Sequence, residues 1–195
     1  MPTTFPAEAR ARFDRALADR PEWLRQHTRR VVDGALHLAR IHELDPDVCA
    51  AAAAGHDLFR HLDPDAILER ARARGLTITD ADLAAPIVLH GPLAAHYAAR
   101  ELEIDHSDIL SAIHYHTNAH PDLSEEALAV FLADKVDPNK VQRGPGLAAV
   151  AAAAERDLHA ATTLFLERRL SHQLATGQQL HPLAVEARNA LLQRV

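Results

Sequence analysis

The chain has one cysteine in 195 residues, which excludes a disulfide framework and any thiolate metal site. It has seven glycines and only 4% aromatic residues. Alternating β-branched runs are missing apart from scraps such as Leu76–Thr79, so a sheet-built fold is not expected. It has no basic excess either. Lys and Arg number 21 against 27 Asp and Glu, a formal charge of −6, which argues against a nucleic-acid coat or a polybasic membrane anchor. The longest apolar runs, Val48–Ala54 and Leu147–Ala154, fall far short of the ~20 residues that span a bilayer. The opening MPTTFPAEARARFD shows no apolar stretch behind a basic start. The expected setting is the cytoplasm, with neither nucleic acid nor membrane as partner.

What is present reads as helix. Ala, Leu, Arg and Glu favour it by propensity. Prolines recur where first helical turns would begin, at positions such as Pro46, Pro64 and Pro182. The pattern predicts an all-α bundle with helices over 7–19, 22–43, 46–59, 64–74, 80–89, 92–102, 107–116, 124–136, 147–175 and 182–194. Ser124 before Glu125 and Glu126 reads as an N-cap with acids in the first turn. Gly75 and Gly177 suit the left-handed position after a helix. The predicted organisation is an N-terminal helix over 1–22, a main domain over 23–146 and a helical extension over 147–195 packed on the same domain.

Histidine is in excess, with 14 in the chain. Gly55-His56-Asp57 closes an alanine-rich helix, where a buried charge must be paired or bind a metal. A solvent-facing His beside a capping Asp is the plain alternative. Other residues share the placement. His27 lies on the apolar face of the 22–43 helix, three residues after Leu24 and four before Val31. His90 is expected to end the helix after Ile87-Val88-Leu89, and His116 the one ending at Tyr115. Asp134 follows Val130-Phe131-Leu132-Ala133. Polar groups at the edges of apolar runs on five helices are what an inward-facing metal site in a bundle requires. Four imidazoles and two carboxylates suit iron, manganese or zinc rather than copper(I) or an iron–sulfur cluster. Six ligands exceed what one open catalytic ion uses. A two-metal centre bridged by Asp57 is the economical reading, able to activate a water between the ions and to clamp the oxygens of a phosphoryl displacement.

The order His27…His56-Asp57…His90…His116…Asp134 resembles the H…HD…H…H…D pattern of HD-domain phosphohydrolases. Ala112-Ile113-His114-Tyr115-His116-Thr117 is similar to the A-I-x-x-H-T segment of the YqeK-type branch. Leu132-Ala133-Asp134-Lys135-Val136-Asp137-Pro138-Asn139-Lys140 is similar to its A-D-x-I-E-P-x-R segment, and His90-Gly91-Pro92-Leu93-Ala94-Ala95 to its H-x-x-x-G/A-A segment. The resemblance covers roughly residues 23–150. It implies an HD-domain helical bundle with additional C-terminal helices, and a symmetrical bis(5′-nucleosyl)-tetraphosphatase that takes diadenosine tetraphosphate to two ADP at a di-iron centre. It also implies that His27, His56, Asp57 and Asp134 hold one metal and that Asp57, His90 and His116 hold the other. Manganese, cobalt and zinc fit the same ligand types.

Asp57 and Arg60 are then expected at the chemistry, with Arg60 where the branch usually carries Lys. Arg60, Thr117, His120, Lys135, Lys140 and Arg143 are expected at the substrate, Lys140 standing where Arg is usual. His61 and His120, each within four residues of an expected ligand, are candidate proton donors with an ordinary pKa near 6.5. Lys135 is read as solvated or paired with Asp137. Phe59, Tyr97, Tyr115 and Phe131 are the candidate adenine stackers, and Phe131 reads best as core. The other histidines read mostly as surface or half-buried. Three alternatives stay open: the dinucleotide hydrolase, the same chemistry on a nucleoside mono- or triphosphate or a guanosine alarmone, and a helical metal-binding module without turnover. A homodimer also stays open.

Overall fold

A computed structural model describes residues 4–194. Residues 1–3 of the expected N-terminal segment and Val195 of the expected extension lie outside the described residues. The described chain is all helix, with no strand. In order it runs α1 (Pro6–Leu17), α2 (Glu22–Ile41), α3 (Pro46–Gly55), α4 (Pro64–Ala73), α5 (Asp80–Ala84), a 3-10 turn (Pro86–Leu89), α6 (His90–Arg100), α7 (Ser107–Tyr115), α8 (Glu125–Lys135), α9 (Pro138–Arg143), α10 (Leu147–Ala154), α11 (Leu158–Ala175), α12 (Pro182–Leu191) and a terminal 3-10 turn (Leu192–Arg194). None of these helices is long and apolar enough to cross a membrane.

Caps written in the sequence set most of the starts. Asp45, Asp63 and Asp137 each stand before a proline and accept from backbone N–H groups of the first turns of α3, α4 and α9. A side-chain acceptor satisfies donors the helix leaves orphaned, and proline at the first position has no donor to lose. Ser124 accepts from Ala127 N, as its position predicts. Gly75 and Gly177 both take positive φ, at 66°.

Helix α3 is the centre. Every residue from Val48 to Gly55 is buried, and five of them are consecutive alanines. Such a smooth helix lets α1, α2, α7 and α8 all close on it. At Gly55 the approach is closest: a Cβ there would meet the Phe13 ring and Ile113 Cδ1 at 2.5 and 2.7 Å. The end of α3, and with it His56-Asp57, is thereby pressed into the middle of the bundle.

The structure departs from the sequence expectations at four places. Helix α3 stops at Gly55 instead of 59, so His56 and Asp57 sit on the turn beyond it. His90 opens α6 and does not end a helix, because the stretch before it is the 3-10 turn begun by Pro86. The single helix expected over 147–175 is two, α10 and α11, with Asp157 capping the second through Ala160 N. Helix α9 was not expected at all, being six residues long.

The main core runs continuously from Ala9 to Leu191, so the first and last helices share it with the middle of the chain. Two histidines outside the motif pattern fasten α2 to the end of α10. His37 Nε2 lies 2.8 Å from Glu155 Oε1, and His42 Nε2 donates to Ala154 O at 2.7 Å. His181, at the start of α12, is buried and donates to Asp82 Oδ1 at 3.2 Å.

Candidate metal centre and substrate cleft

His27, His56, Asp57, His90, His116 and Asp134 are all buried. Helix α2 carries His27, the turn after α3 carries His56 and Asp57, α6 begins with His90, α7 is capped by His116 and the last turn of α8 carries Asp134. Asp57 is the hub, and its two oxygens face different pairs of imidazoles. Oδ2 lies 3.4 Å from Nε2 of both His27 and His56. Oδ1 lies 2.9 Å from His90 Nε2 and 3.3 Å from His116 Nε2. Asp134 Oδ1 joins the first side only, 3.2 Å from His27 Nε2 and 3.9 Å from His56 Nε2.

The far nitrogen fixes each ring. His56, His90 and His116 donate Nδ1–H to the carbonyl three residues back, on Ala53, Ile87 and Ile113. His27 instead places Nδ1 2.7 Å from Asp137 Oδ2, and Arg30 Nε holds that same carboxylate at 3.0 Å. A ring whose Nδ1 is the donor turns a lone pair outward at Nε2, which is how metal-binding histidines are prepared. Gly91 allows the close approach that makes this register. A Cβ there would meet His114 O at 2.8 Å and Ile113 O, the acceptor for His116, at 3.0 Å.

This donor set fits cations better than it fits a closed hydrogen-bond network. His56 Nε2 is buried with no hydrogen-bond partner. The Nε2 atoms of His90 and His116 face each other at 2.9 Å. Burial first, then the neighbouring imidazoles of His90 and His56, push His116 down to about 3 against the pull of Asp57, so it holds no second proton to share. Two imidazole nitrogens this close need a shared proton or a cation between them. Two groups of buried ligand atoms, His27-His56-Asp134 and His56-Asp57-His116, are each compact enough to hold an ion.

The carboxylates are ready for that role. Burial opposes the charge on Asp57, but His56, His116 and His27 outweigh it and hold its carboxyl well below the usual range. Asp134 is likewise held low against burial, chiefly by Lys135, then His27 and Lys140. His27 is the counterpart. Burial opposes its charged form, yet Asp134 and Asp57 together raise it to about 9.

Two cavities flank the centre. One, of about 260 Å³, is lined by Asp57, His90, His116, Asp134, Phe165 and Arg169 among others. The other, of about 460 Å³, is lined by Trp23, Gln26, His27, Arg30, Asp137 and Arg143 among others. They share Asp57, Arg60 and Lys140. A third, mostly apolar cavity of about 310 Å³ adjoins the first through Val88 and Thr117 and is lined by Tyr115, Leu183 and Asn118.

Of the residues expected at the substrate, Arg60, Thr117, Lys135, Lys140 and Arg143 line the flanking cavities. Lys135 is neither solvated nor paired with Asp137. Its ammonium donates to Asp134 Oδ2 at 2.7 Å and to His116 O at 2.8 Å, above the Phe131 ring at 4.9 Å. Lys140 also bonds Asp134. His61 and His120 line none of these cavities. His61 sits where burial and then Arg20 lower its pKa, and His120 stacks on Tyr115 at 4.4 Å and accepts from Asp122 N. Of the aromatic candidates, Phe59 and Tyr97 pack edge-to-face on each other, and Phe131 is fully buried against Phe165.

Sequence reasoning did not single out Trp23, Arg30, Asp137 or Arg169 for the site. Trp23, the only tryptophan, is half exposed one turn before His27, and that exposure of a large apolar ring was the missing signal. Asp137 reads in sequence as a candidate partner of Lys135 and as one residue of the Leu132–Lys140 segment, not as a partner of His27. Its contact with His27 spans 110 residues and no local pattern shows it. Asp137→Asn keeps the α9 cap and an acceptor for His27 Nδ1 but removes the charge. It is expected to weaken metal binding about 10–100-fold, the range for groups that orient a metal-binding histidine, as read by competition with a chelating dye.

The HD domain family model matches residues 24–139. The chain is 30% identical over 167 residues to a protein of Halalkalibacterium halodurans named "Bis(5'-nucleosyl)-tetraphosphatase, symmetrical", covering 86% of this chain and 88% of that one. A protein of the same name from Bacillus subtilis is 28% identical over 156 residues, covering 80% and 82%. A crystal structure from Clostridium acetobutylicum, described as a predicted HD superfamily hydrolase involved in NAD metabolism, superposes with a TM-score of 0.87. It shares 28% identity and covers 95% of this chain and 97% of that one.

Proposed function

The chain belongs to the HD domain family, and we propose that it is a symmetrical bis(5′-nucleosyl)-tetraphosphatase that hydrolyses diadenosine tetraphosphate to two ADP in the cytoplasm. The observation that carries this reading is the division at Asp57: one oxygen turns to His27 and His56, the other to His90 and His116, with a cavity on each side. A centre open to a cavity on each side suits a substrate that extends in both directions from the bond cleaved.

In this reading His27, His56, Asp57 and Asp134 hold one divalent ion, and Asp57, His90 and His116 hold a second, with iron first and manganese, cobalt or zinc also suited to the ligands. Such ions, when bound, supply Lewis acidity toward phosphate oxygens and lower the pKa of water. The rest falls to the protein. Arg60, exposed at the junction of both cavities, meets the middle of the tetraphosphate. Lys140 sits at the same junction and keeps Asp134 ionised. Arg143 meets phosphate on the His27 side, where its Nε already donates to Asn139 O at 3.0 Å. Trp23 offers a stacking face to the adenine on that side, and the mostly apolar cavity beyond Thr117 takes the other. Lys135 tethers Asp134 to the His116 carbonyl, joining the two halves of the centre.

Product analysis on diadenosine tetraphosphate with iron- or manganese-loaded protein tests the assignment. ADP as sole product is expected. ATP with AMP would mean asymmetric cleavage, and turnover confined to nucleoside mono- or triphosphates would assign the site to another nucleotide; either overturns it.

A further inference from the structure

The segment after residue 146 lies beyond the family model, yet it reaches the centre. Helix α11 packs on α8 and α12 and buries Leu158, Ala161, Thr162, Thr163 and Leu166. Phe165 and Arg169, one helical turn apart on that helix, both line the cavity on the His90–His116 side. Phe165 anchors the helix there, its ring 5.5 Å from that of Phe131.

The charges in this cavity are unequally satisfied. Lys135 and Lys140 both spend their charge on Asp134. Arg169 meets no carboxylate among the described residues. The acid nearest to it on α11, Glu167, is held by Arg188 of α12 at 2.6 Å. The Arg169 guanidinium donates instead to two neutral acceptors, Thr117 O at 2.5 Å and Asn118 Oδ1 at 3.1 Å. That uses two of its five N–H donors. Burial lowers its pKa, with no acid opposing the shift. A half-buried cation without a counter-ion is costly to hold in place, and the cost is recovered when a ligand brings the anion. A planar fork tied on one edge presents its free edge in a fixed direction, which is the arrangement that recognises phosphate.

We propose that Arg169 is a substrate-binding residue, clamping phosphate on the His90–His116 side of the centre as Arg143 does on the other, so that the C-terminal extension completes the site. This rests on the reading of the cleft as a polyphosphate site, and it gives residues 147–195 a part in substrate binding besides packing. The tie to Thr117 and Asn118 makes the same residue hold the turn after His116, where Ala119 takes φ 63°.

The test uses full-length, metal-loaded Arg169→Gln and Arg169→Lys. Arg169→Gln removes the charge and, being two bonds shorter, also the tie to the Thr117 carbonyl, so metal content and melting temperature are read beside it to separate the two losses. Arg169→Lys keeps the charge and loses the fork. Calorimetric binding of inorganic pyrophosphate is the first readout, and KM against kcat on diadenosine tetraphosphate the second. Arg169→Gln is expected to weaken pyrophosphate binding about tenfold or more, the size of a lost charge-assisted contact, and to raise KM in step with little change in metal content. Arg169→Lys is expected to fall between it and the wild type. If Arg169→Gln binds pyrophosphate like the wild type, or if both variants lose metal and melt early with KM unchanged, Arg169 only braces the turn and the proposal falls. Wild-type protein that makes no ADP, while pyrophosphate binding still depends on Arg169, would instead overturn the substrate assignment and leave the clamp standing.

Discussion

Asp57→Ala protein is expected to keep its helical content but to bind neither metal ion after dialysis, and to lose more than about 100-fold in turnover, beyond the range seen for merely orienting groups. The expectation comes from the geometry of one carboxylate. All four imidazoles face it, two at each oxygen, within 2.9–3.4 Å. Of the four imidazoles Asp134 approaches only those of His27 and His56, so it cannot take over for the His90–His116 side. Metal analysis and far-ultraviolet circular dichroism on the same sample read the result. Retention of two ions by Asp57→Ala would show that its carboxylate does not join the halves.

His27→Ala is expected to lose one ion, not both, again with turnover down more than about 100-fold. Nε2 of His27 lies against Asp57 Oδ2 and Asp134 Oδ1, whereas His90 and His116 gather at Asp57 Oδ1. Stability of the metal-free protein gives a second readout. The His27 pKa is raised from 6.5 to about 9 in the fold, despite burial, by Asp134 and Asp57. Its protonation therefore contributes stability fully present below about pH 6.5 and lost as pH rises through 9. The melting-temperature gap between metal-free wild type and metal-free His27→Ala should narrow across that window. The same proton must leave when a cation binds, so metal affinity should fall as pH drops.

The all-α fold was legible because the caps and periodicity agree. Prolines at first turns, Ser124 as a cap, and the apolar face that carries Leu24 and Val31 each point to the elements observed. Where reading failed, packing outweighed local pattern. Gly91-Pro92 looks like a break, but α6 begins at His90 because the backbone of Gly91 fits against the carbonyls of α7. The alanines of α10 continue a helical pattern without showing where it breaks, and only Asp157 marks the restart.

The six residues that gather in the buried cluster were visible because each is a polar residue set against an apolar run. Asp137 and Arg169 were not, since their meaning lies in contacts 110 and 52 residues away. The histidine excess divides in the same way. Four gather at Asp57, while His37, His42 and His181 fasten the C-terminal helices to the bundle.

Anomalous diffraction from a crystal of iron- or manganese-loaded wild-type protein tests the central claim most directly. The account predicts two peaks, one against each oxygen of Asp57, with His27, His56 and Asp134 around the first and His90 and His116 around the second. A single peak, or two peaks on the same oxygen, would contradict it.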